Sequence, residues 1–185
     1  VHAFDPTPRA VAFVRAQVLP TAFVFHPVGI GAADGELGFA APGRPRDVNY
    51  RPVAAGGDLR APVQRLATLA RQLGHDHVDV LKLDIEGGEY AVLPDVLACG
   101  LRIDQLLVEF HHGRGEAPFA ATRGALDLLR RHGFSIFHIS RRGLEFSQRA
   151  GGHHVSTVAA GAGAEVDNGI GRPDGLLVVL DDDDG

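Results

Sequence analysis

The stretch Val78-Asp79-Val80-Leu81-Lys82-Leu83-Asp84-Ile85-Glu86-Gly87-Gly88-Glu89 decides the fold. It begins as an apolar run rich in Val and Leu, too short for a buried helix, and two carboxylates and a glycine pair end it. A parallel strand buried on both faces reads this way when it carries acidic side chains to the rim of a sheet. Ligands of open α/β sheets sit in the crevice beyond the carboxyl ends of the strands, which makes Asp84 and Glu86 candidate site residues. The same two acids also suit the start of a following helix, as caps and as charges facing its dipole.

Working outward, the glycine pair opens a helix with Tyr90, Leu93 and Leu97 on one face. A kink or restart is expected at Pro94, which has no N–H to give the helix, and Gly100 ends it. Ile103 to Phe110 is the next strand, running out as Val108-Glu109-Phe110-His111-His112-Gly113. The two strand ends together offer Asp84, Glu86, Glu89, Glu109, His111 and His112. Carboxylates beside imidazoles support two chemistries. One is general base catalysis on a hydroxyl. The other is a divalent cation that lowers the hydroxyl pKa. Glu86 and Glu89, three residues apart, can share a helical face, which suits a metal and a solvated first turn equally. Consecutive residues of an extended chain point to opposite faces, so only one of His111 and His112 serves the site, and His111 is the choice.

Upstream, His75 and His77 flank Asp76 and read as a solvated turn, with metal binding as the alternative. Pro62 to Leu73 carries a helical apolar pattern stopped by Gly74. Residues 40–57, rich in Pro and Gly, read as one long loop. Thr21 to Ile30 is a strand, at an edge or bent because of Pro27, and Asp34-Gly35 is a hairpin signal. The chain opens on a short strand ending at Asp5, then Thr7 caps a helix with Pro8 at its first position. That helix is expected from about Arg9 to Leu19, with Val11, Val14 and Val18 on one face. Downstream come a helix from Phe119 to His132, a strand from Phe134 to Ser140 and a turn at Arg141-Arg142-Gly143. Leu144 to Ser147 then starts a returning antiparallel strand. The alternation of strands and helices argues an α/β parallel sheet. The expected division is an α/β domain over 1–148, a flexible Gly/Ala-rich segment over 149–175, and a last strand with an acidic tail over 176–185.

LKLDIEGGEY followed by QLLVEFHH resembles the FkbM-type family of S-adenosylmethionine (SAM) dependent methyltransferases. The resemblance is specific at 78–89 and 103–112, fainter echoes run from residue 1 to about 148, and in relatives the early part of the Pro62 to Leu73 stretch can be a short strand. It implies a Rossmann-like class I methyltransferase sheet with helices on both faces, SAM as cofactor, and a hydroxyl of a small molecule or sugar as methyl acceptor. It assigns Asp5 to the ribose hydroxyls, Asp34 to the loop near the adenine, and Asp84 and Glu86 to the cofactor. Asp84 and His111 become the catalytic candidates. Such a sheet normally opens with a strand and a Gly-rich turn, and neither precedes Val1. In the family order the absent strand is the central one, between the strands ending at Asp5 and Asp84. Its loss would leave a gap of roughly 9–10 Å in the sheet. The expectation is an N-terminally truncated fragment that binds SAM poorly or not at all.

Composition narrows the classes. A chain of 185 residues with net charge −5 has no pull toward nucleic acid or anionic membranes. No segment reaches the ~18 apolar residues of a membrane helix. Lys82 is the single lysine, and Cys99, standing alone, has no disulfide partner in the chain. The cytoplasm is the default compartment, and composition says nothing of oligomeric state. Two further functions stand beside methyl transfer. One is a non-catalytic binding module on a degenerate methyltransferase fold. The other is a metal-dependent hydrolase built on Asp84, Glu86 and His111.

Overall fold

The computed structural model describes residues 1–44, 48–111, 119–141, 144–146 and 175–181. The chain forms two units. One comprises Val1–Asp76 with Ile85–Leu101, the other His77–Asp84 with Arg102–Gly185.

The first unit opens with β1 (His2–Phe4), α1 (Pro8–Arg15) and β2 (Val24–His26), and β1 and β2 pair in parallel. Thr7 caps α1 as expected: its hydroxyl accepts the Ala10 N–H at 3.3 Å, with Pro8 just inside the helix. The helix stops at Arg15, short of Leu19, and Val18 is fully exposed. A second sheet follows, built from β3 (Gly29–Ile30), β4 (Gly35–Ala40), β5 (Arg51–Val53) and β6 (Leu59–Gln64). Its order is β3-β6-β4-β5.

Three expectations are corrected here. The stretch from Thr21 to Ile30 is broken at Pro27 into β2 and β3, which belong to different sheets. Asp34-Gly35 is not a hairpin, because β6 lies between β3 and β4. Residues 40–57 are not one loop, since β5 returns antiparallel along β4. The helical pattern from Pro62 to Leu73 also hides a strand. Ala61 and Val63 are buried between exposed or half-buried neighbours, the period of two that a half-buried strand requires. Pro62 is tolerated because β3 pairs only with Val63 and Gln64, which leaves β6 an open edge beside the proline. Phe39, Ala61 and Val63 form the core of this sheet, flanked by Leu37, Tyr50 and Leu59.

Helix α2 (Leu66–Leu73) buries Leu66, Leu69 and Ala70 and ends at Gly74 in the left-handed conformation. There the His75 N–H reaches back to the Ala70 carbonyl at 2.8 Å. Helix α3 (Glu89–Ala98) touches α2, and Arg65 binds Asp95 across the pair, with its Nε 2.8 Å from Oδ1. α3 runs through Pro94 without restarting, and its buried positions are Glu89, Val92, Leu93 and Val96 in place of the expected Tyr90–Leu93–Leu97 face.

The second unit holds β7 (His77–Leu83), β8 (Arg102–His111), α4 (Phe119–Arg131), β9 (Ser135–Arg141), β10 (Leu144–Phe146) and β11 (Gly175–Asp181). The strand order is β10-β9-β11-β8-β7, parallel except for β10, which returns antiparallel along β9. β11 coincides with the expected last strand, whereas the expected flexible segment lies, apart from Gly175, outside the described residues. α4 packs on β9 and buries Thr122, Ala125 and Leu129. β7 closes one end of the sheet and is not buried on both faces. Leu81 and Leu83 are buried while Val80 and Lys82 are exposed, the alternation of a strand with one wet face. On β8 the buried residues are Leu106, Val108 and Phe110. The chain is thus a mixed α/β protein whose described strands fall into three sheets, not one.

Candidate active site

Strand parity builds the site. β7 and β8 run parallel with Lys82 opposite Leu107 and Leu83 opposite Val108. Leu83, Val108 and Phe110 share the buried face, so Lys82, Glu109 and His111 share the other, at the carboxyl end of both strands. Asp84 follows β7 directly, and its carboxylate lies 2.8 Å from the Lys82 ammonium. The same ammonium is 3.7 Å from Glu109. A carboxylate oxygen of Asp84 and a ring nitrogen of His111 lie within 4.8 Å of each other.

This cluster has an electrostatic conflict. The Glu109 side chain is only 22% exposed and hydrogen-bonds to Asp84. A second carboxylate in that relation makes Glu109 keep its proton to higher pH. Burial, followed by the charge and hydrogen bond of Asp84, pushes Glu109 up to about 7, against the opposing pull of Lys82 and His111. Partial burial disfavours the charge on Lys82, but Asp84 and Glu109 outweigh it and hold the lysine above its ordinary value. Lys82 was legible only as a strand residue, yet it is the cation that straddles the two acids. Glu109, although part of the sequence constellation, was not singled out as catalytic. Its signal was the parity that places it opposite Asp84.

The other acids of the motif behave differently. Glu89 is fully buried, and its carboxylate accepts the N–H groups of Ile85 at 2.9 Å and of Gly87 at 3.0 Å. It therefore ties down the turn before α3, and the solvated first turn is not what forms. Glu86, half-buried in that turn, has φ +54°, the one left-handed non-glycine among the described residues. Gly87 follows at φ +98°. Asp5 stands at the end of β1 as expected, and its Oδ1 accepts the Thr7 N–H at 2.8 Å. Asp34 gives both oxygens to the start of α2: Oδ1 accepts the Arg65 N–H at 2.7 Å and Oδ2 the Thr68 hydroxyl at 2.8 Å. Those bonds hold its carboxyl below the usual range, with the Arg65 backbone bond the largest cause. The structural role weighed for the Asp-Gly turn is the one its contacts support, although the helix it serves lies 31 residues away. His112 lies outside the described residues.

His75 and Asp76 are exposed in the turn before β7, as expected, whereas His77 is not part of that turn. His77 begins β7 and bonds Asp104 of β8 at 2.8 Å, and Arg102 holds the same carboxylate at 2.9 and 3.2 Å. Arg102, then His77, hold Asp104 below its ordinary value. His75 instead meets His2, with their Nε2 atoms 3.3 Å apart, and His2 Nδ1 lies 2.9 Å from His26 Nε2.

A mixed α/β protein with titratable side chains gathered at the ends of parallel strands is the class this geometry defines. The chain belongs to the methyltransferase FkbM domain family, which it matches over residues 2–136. It is 26% identical over 113 residues to the human "Probable methyltransferase-like protein 24", covering 60% of this chain and 26% of that protein. It is 33% identical over 78 residues to "AMB antimetabolite synthetase AmbE" of Pseudomonas aeruginosa, covering 42% of this chain and 4% of that protein. The chain thus spans about a quarter or less of the curated relatives it matches. No solved structure matches it. Among the described residues no helix is long and apolar enough to cross a membrane.

Proposed function

We propose that this chain carries the acid–base face of a SAM-dependent methyltransferase that methylates a hydroxyl of a small molecule or sugar. The observation that carries the reading is the placement of Asp84 and Glu109 together at the ends of two parallel strands beside Lys82 and His111. The parallel pairing of β7 with β8, β8 with β11 and β11 with β9 supports a Rossmann-like sheet of the class I kind.

The donor set suits the cofactor. SAM presents an ammonium, a ribose diol and a cationic sulfonium, and carboxylates accept from the first two and favour the third. Asp84 is the residue proposed to receive the ammonium, and Asp5 keeps the ribose role. Glu86 keeps its place as a cofactor contact. When bound, SAM supplies an already activated methyl group, so the protein's work is alignment, desolvation and proton transfer. Glu109 is proposed as the base that takes the acceptor hydroxyl's proton. A base with pKa near the working pH is present in its ionised form and still has driving force for transfer. Lys82, 2.8 Å from Asp84 and 3.7 Å from Glu109, offsets their negative charge, and His111, on the same face, is the second base through which the proton leaves.

Its affinity for SAM is expected to be weaker than micromolar. The test is an NMR titration with SAM to millimolar concentration. Shifts are expected in the amides of Leu83 to Gly88, and they should vanish in Asp84→Asn while the folded spectrum persists. Absence of shifts there, with shifts elsewhere or none at all, refutes the reading. Micromolar affinity by calorimetry refutes the expectation of weak binding.

A further inference from the structure

A second group of ligand-type side chains stands at the opposite end of β7 and β8 from the acids given a role above. Leu81, Leu83, Leu106 and Val108 are buried on one face of this strand pair. Strand parity continues that face toward the amino ends as His77 and Asp79 on β7 and as Arg102 and Asp104 on β8. Val78 pairs with Ile103 and Val80 with Gln105, so Asp79 stands directly opposite Asp104. Like charges in that relation destabilise a sheet unless something offsets them. Arg102 meets part of the charge, with its Nε 2.9 Å from Asp104 Oδ1 and its Nη2 3.2 Å from Oδ2. His77 Nε2 lies 2.8 Å from the same Oδ2. One ligand atom each from His77, Asp79 and Asp104 lie within 4.8 Å of one another. With the imidazole neutral, two carboxylates against one guanidinium leave this group negative.

We propose that His77, Asp79 and Asp104 bind a first-row divalent cation at the start of the two strands, with Zn²⁺ as the probe. One imidazole with two carboxylates is a nitrogen–oxygen set that suits Zn²⁺, which takes water as its fourth ligand. Mg²⁺ and Ca²⁺ prefer oxygen alone. Ligand atoms around a tetrahedral zinc stand about 3.3–3.4 Å apart, so His77 Nε2 and Asp104 Oδ2 part by about half an ångström to admit it. Asp79 is exposed, and its side chain has room to swing onto the ion. Arg102 is the competing cation. Its side chain is 68% exposed, so it can release Oδ2 while its Nε keeps Oδ1, the outer hydrogen bond that commonly orients a ligating carboxylate. The ion takes the Nε2 lone pair, the neutral ring keeps its one proton on Nδ1, and no covalent bond of the protein changes. Asp79 and Asp84 are about 16 Å apart along the chain at ~3.3 Å per residue, which keeps the ion out of methyl transfer. Its effect is to fasten the start of β7, the strand that delivers Asp84, to β8.

The experiment is an amide NMR titration of Zn²⁺ into the metal-free full chain at about pH 7.5, where free histidine is neutral. Saturable shifts are expected at His77–Val80 and Arg102–Gln105 below millimolar Zn²⁺. Asp79→Asn keeps the shape of an exposed side chain and should leave the fold intact. It should raise the dissociation constant read at those amides at least about tenfold, as should His77→Gln. Circular dichroism checks that each variant keeps its fold. His75→Gln should leave the constant unchanged, which separates β7 from the turn before it. Mg²⁺ at the same concentrations should not saturate these amides, and equal binding of Mg²⁺ would overturn the place of His77 in the ligand set. If zinc gives no saturable shift there at millimolar concentration, or the same midpoint in the folded Asp79→Asn variant, these side chains are a strand-pairing ion network alone and the proposal fails.

Discussion

Glu89 and Glu109 are both glutamates withdrawn from water near the ends of strands, and they are put to opposite uses. Glu89 faces two backbone N–H groups, so its charge is met by donors that cannot leave. Glu109 faces another carboxylate, a lysine and a histidine, all of which change with pH or with a ligand. An acid whose oxygens are taken by backbone donors is a fastening. An acid set against a second acid is a reservoir of unspent electrostatic energy, which chemistry can draw on. Asp34, with both oxygens on α2, falls on the first side, and Asp84 on the second.

The largest effect expected from this contrast is at Glu89. Glu89→Ala leaves the Ile85 and Gly87 N–H groups without their carboxylate in a buried turn. Charged hydrogen bonds are worth about 1.5–3 kcal/mol each, so urea denaturation should show a loss of about 3 kcal/mol or more. A loss below about 1 kcal/mol would place Glu89 among the dispensable acids.

Next is Glu109, whose folded-state pKa lies above its unfolded value. Such a group contributes stability that is fully present below about pH 4.5 and is lost as pH rises through about 7. Glu109→Gln should flatten the pH dependence of stability across that window. It should leave the variant more stable than the parent above it, by on the order of 1–2 kcal/mol. Unchanged slope would mean that Asp84 does not make Glu109 keep its proton to higher pH. Asp84→Asn sharpens the same point: the Glu109 carboxyl, followed by ¹³C NMR, should titrate below about 7 once the neighbouring charge is gone.

Asp34→Ala removes a cap from α2 and should cost about 1 kcal/mol in thermal or chemical unfolding, with no change in the Glu109 titration. The smallest effect is at Glu86, where φ is +54°. Glycine adopts that conformation freely, so Glu86→Gly should stabilise by up to about 1 kcal/mol, and a loss of stability would show that the Glu86 side chain is itself a fastening.

The strand ends were legible because period and composition are local properties. Leu81 and Leu83 alternating with Lys82, and the abrupt Asp84-Ile85-Glu86-Gly87-Gly88, place the rim of a sheet without knowledge of the rest. Parity then carries Glu109 to the face of Lys82 and Asp84, a step open to sequence reasoning once the two strands are taken as parallel neighbours. What stayed hidden were choices made at long range. Nothing near Asp34 announces that it will cap a helix starting at Leu66, and nothing near His75 announces His2. β6, which the family resemblance allowed, was hidden from the residue pattern itself because Val63, Leu66 and Leu69 keep a helical spacing straight across the boundary from strand to helix. Glu89 was misread because a first-turn glutamate is usually solvated, and only the left-handed turn at Glu86 and Gly87 folds the backbone donors back toward it.

The path of the chain between the two units has a consequence for synthesis. The first unit owns residues 1–76 but also Ile85–Leu101, and β7 is made between those two pieces. On the ribosome, α2 therefore emerges with Arg65 still lacking Asp95 and with no α3 to meet, and it waits until the whole of β7 has been translated. A nascent chain arrested at Asp76 should be open to protease around Leu66–Leu73, and one arrested beyond Leu101 and clear of the exit tunnel should resist it there.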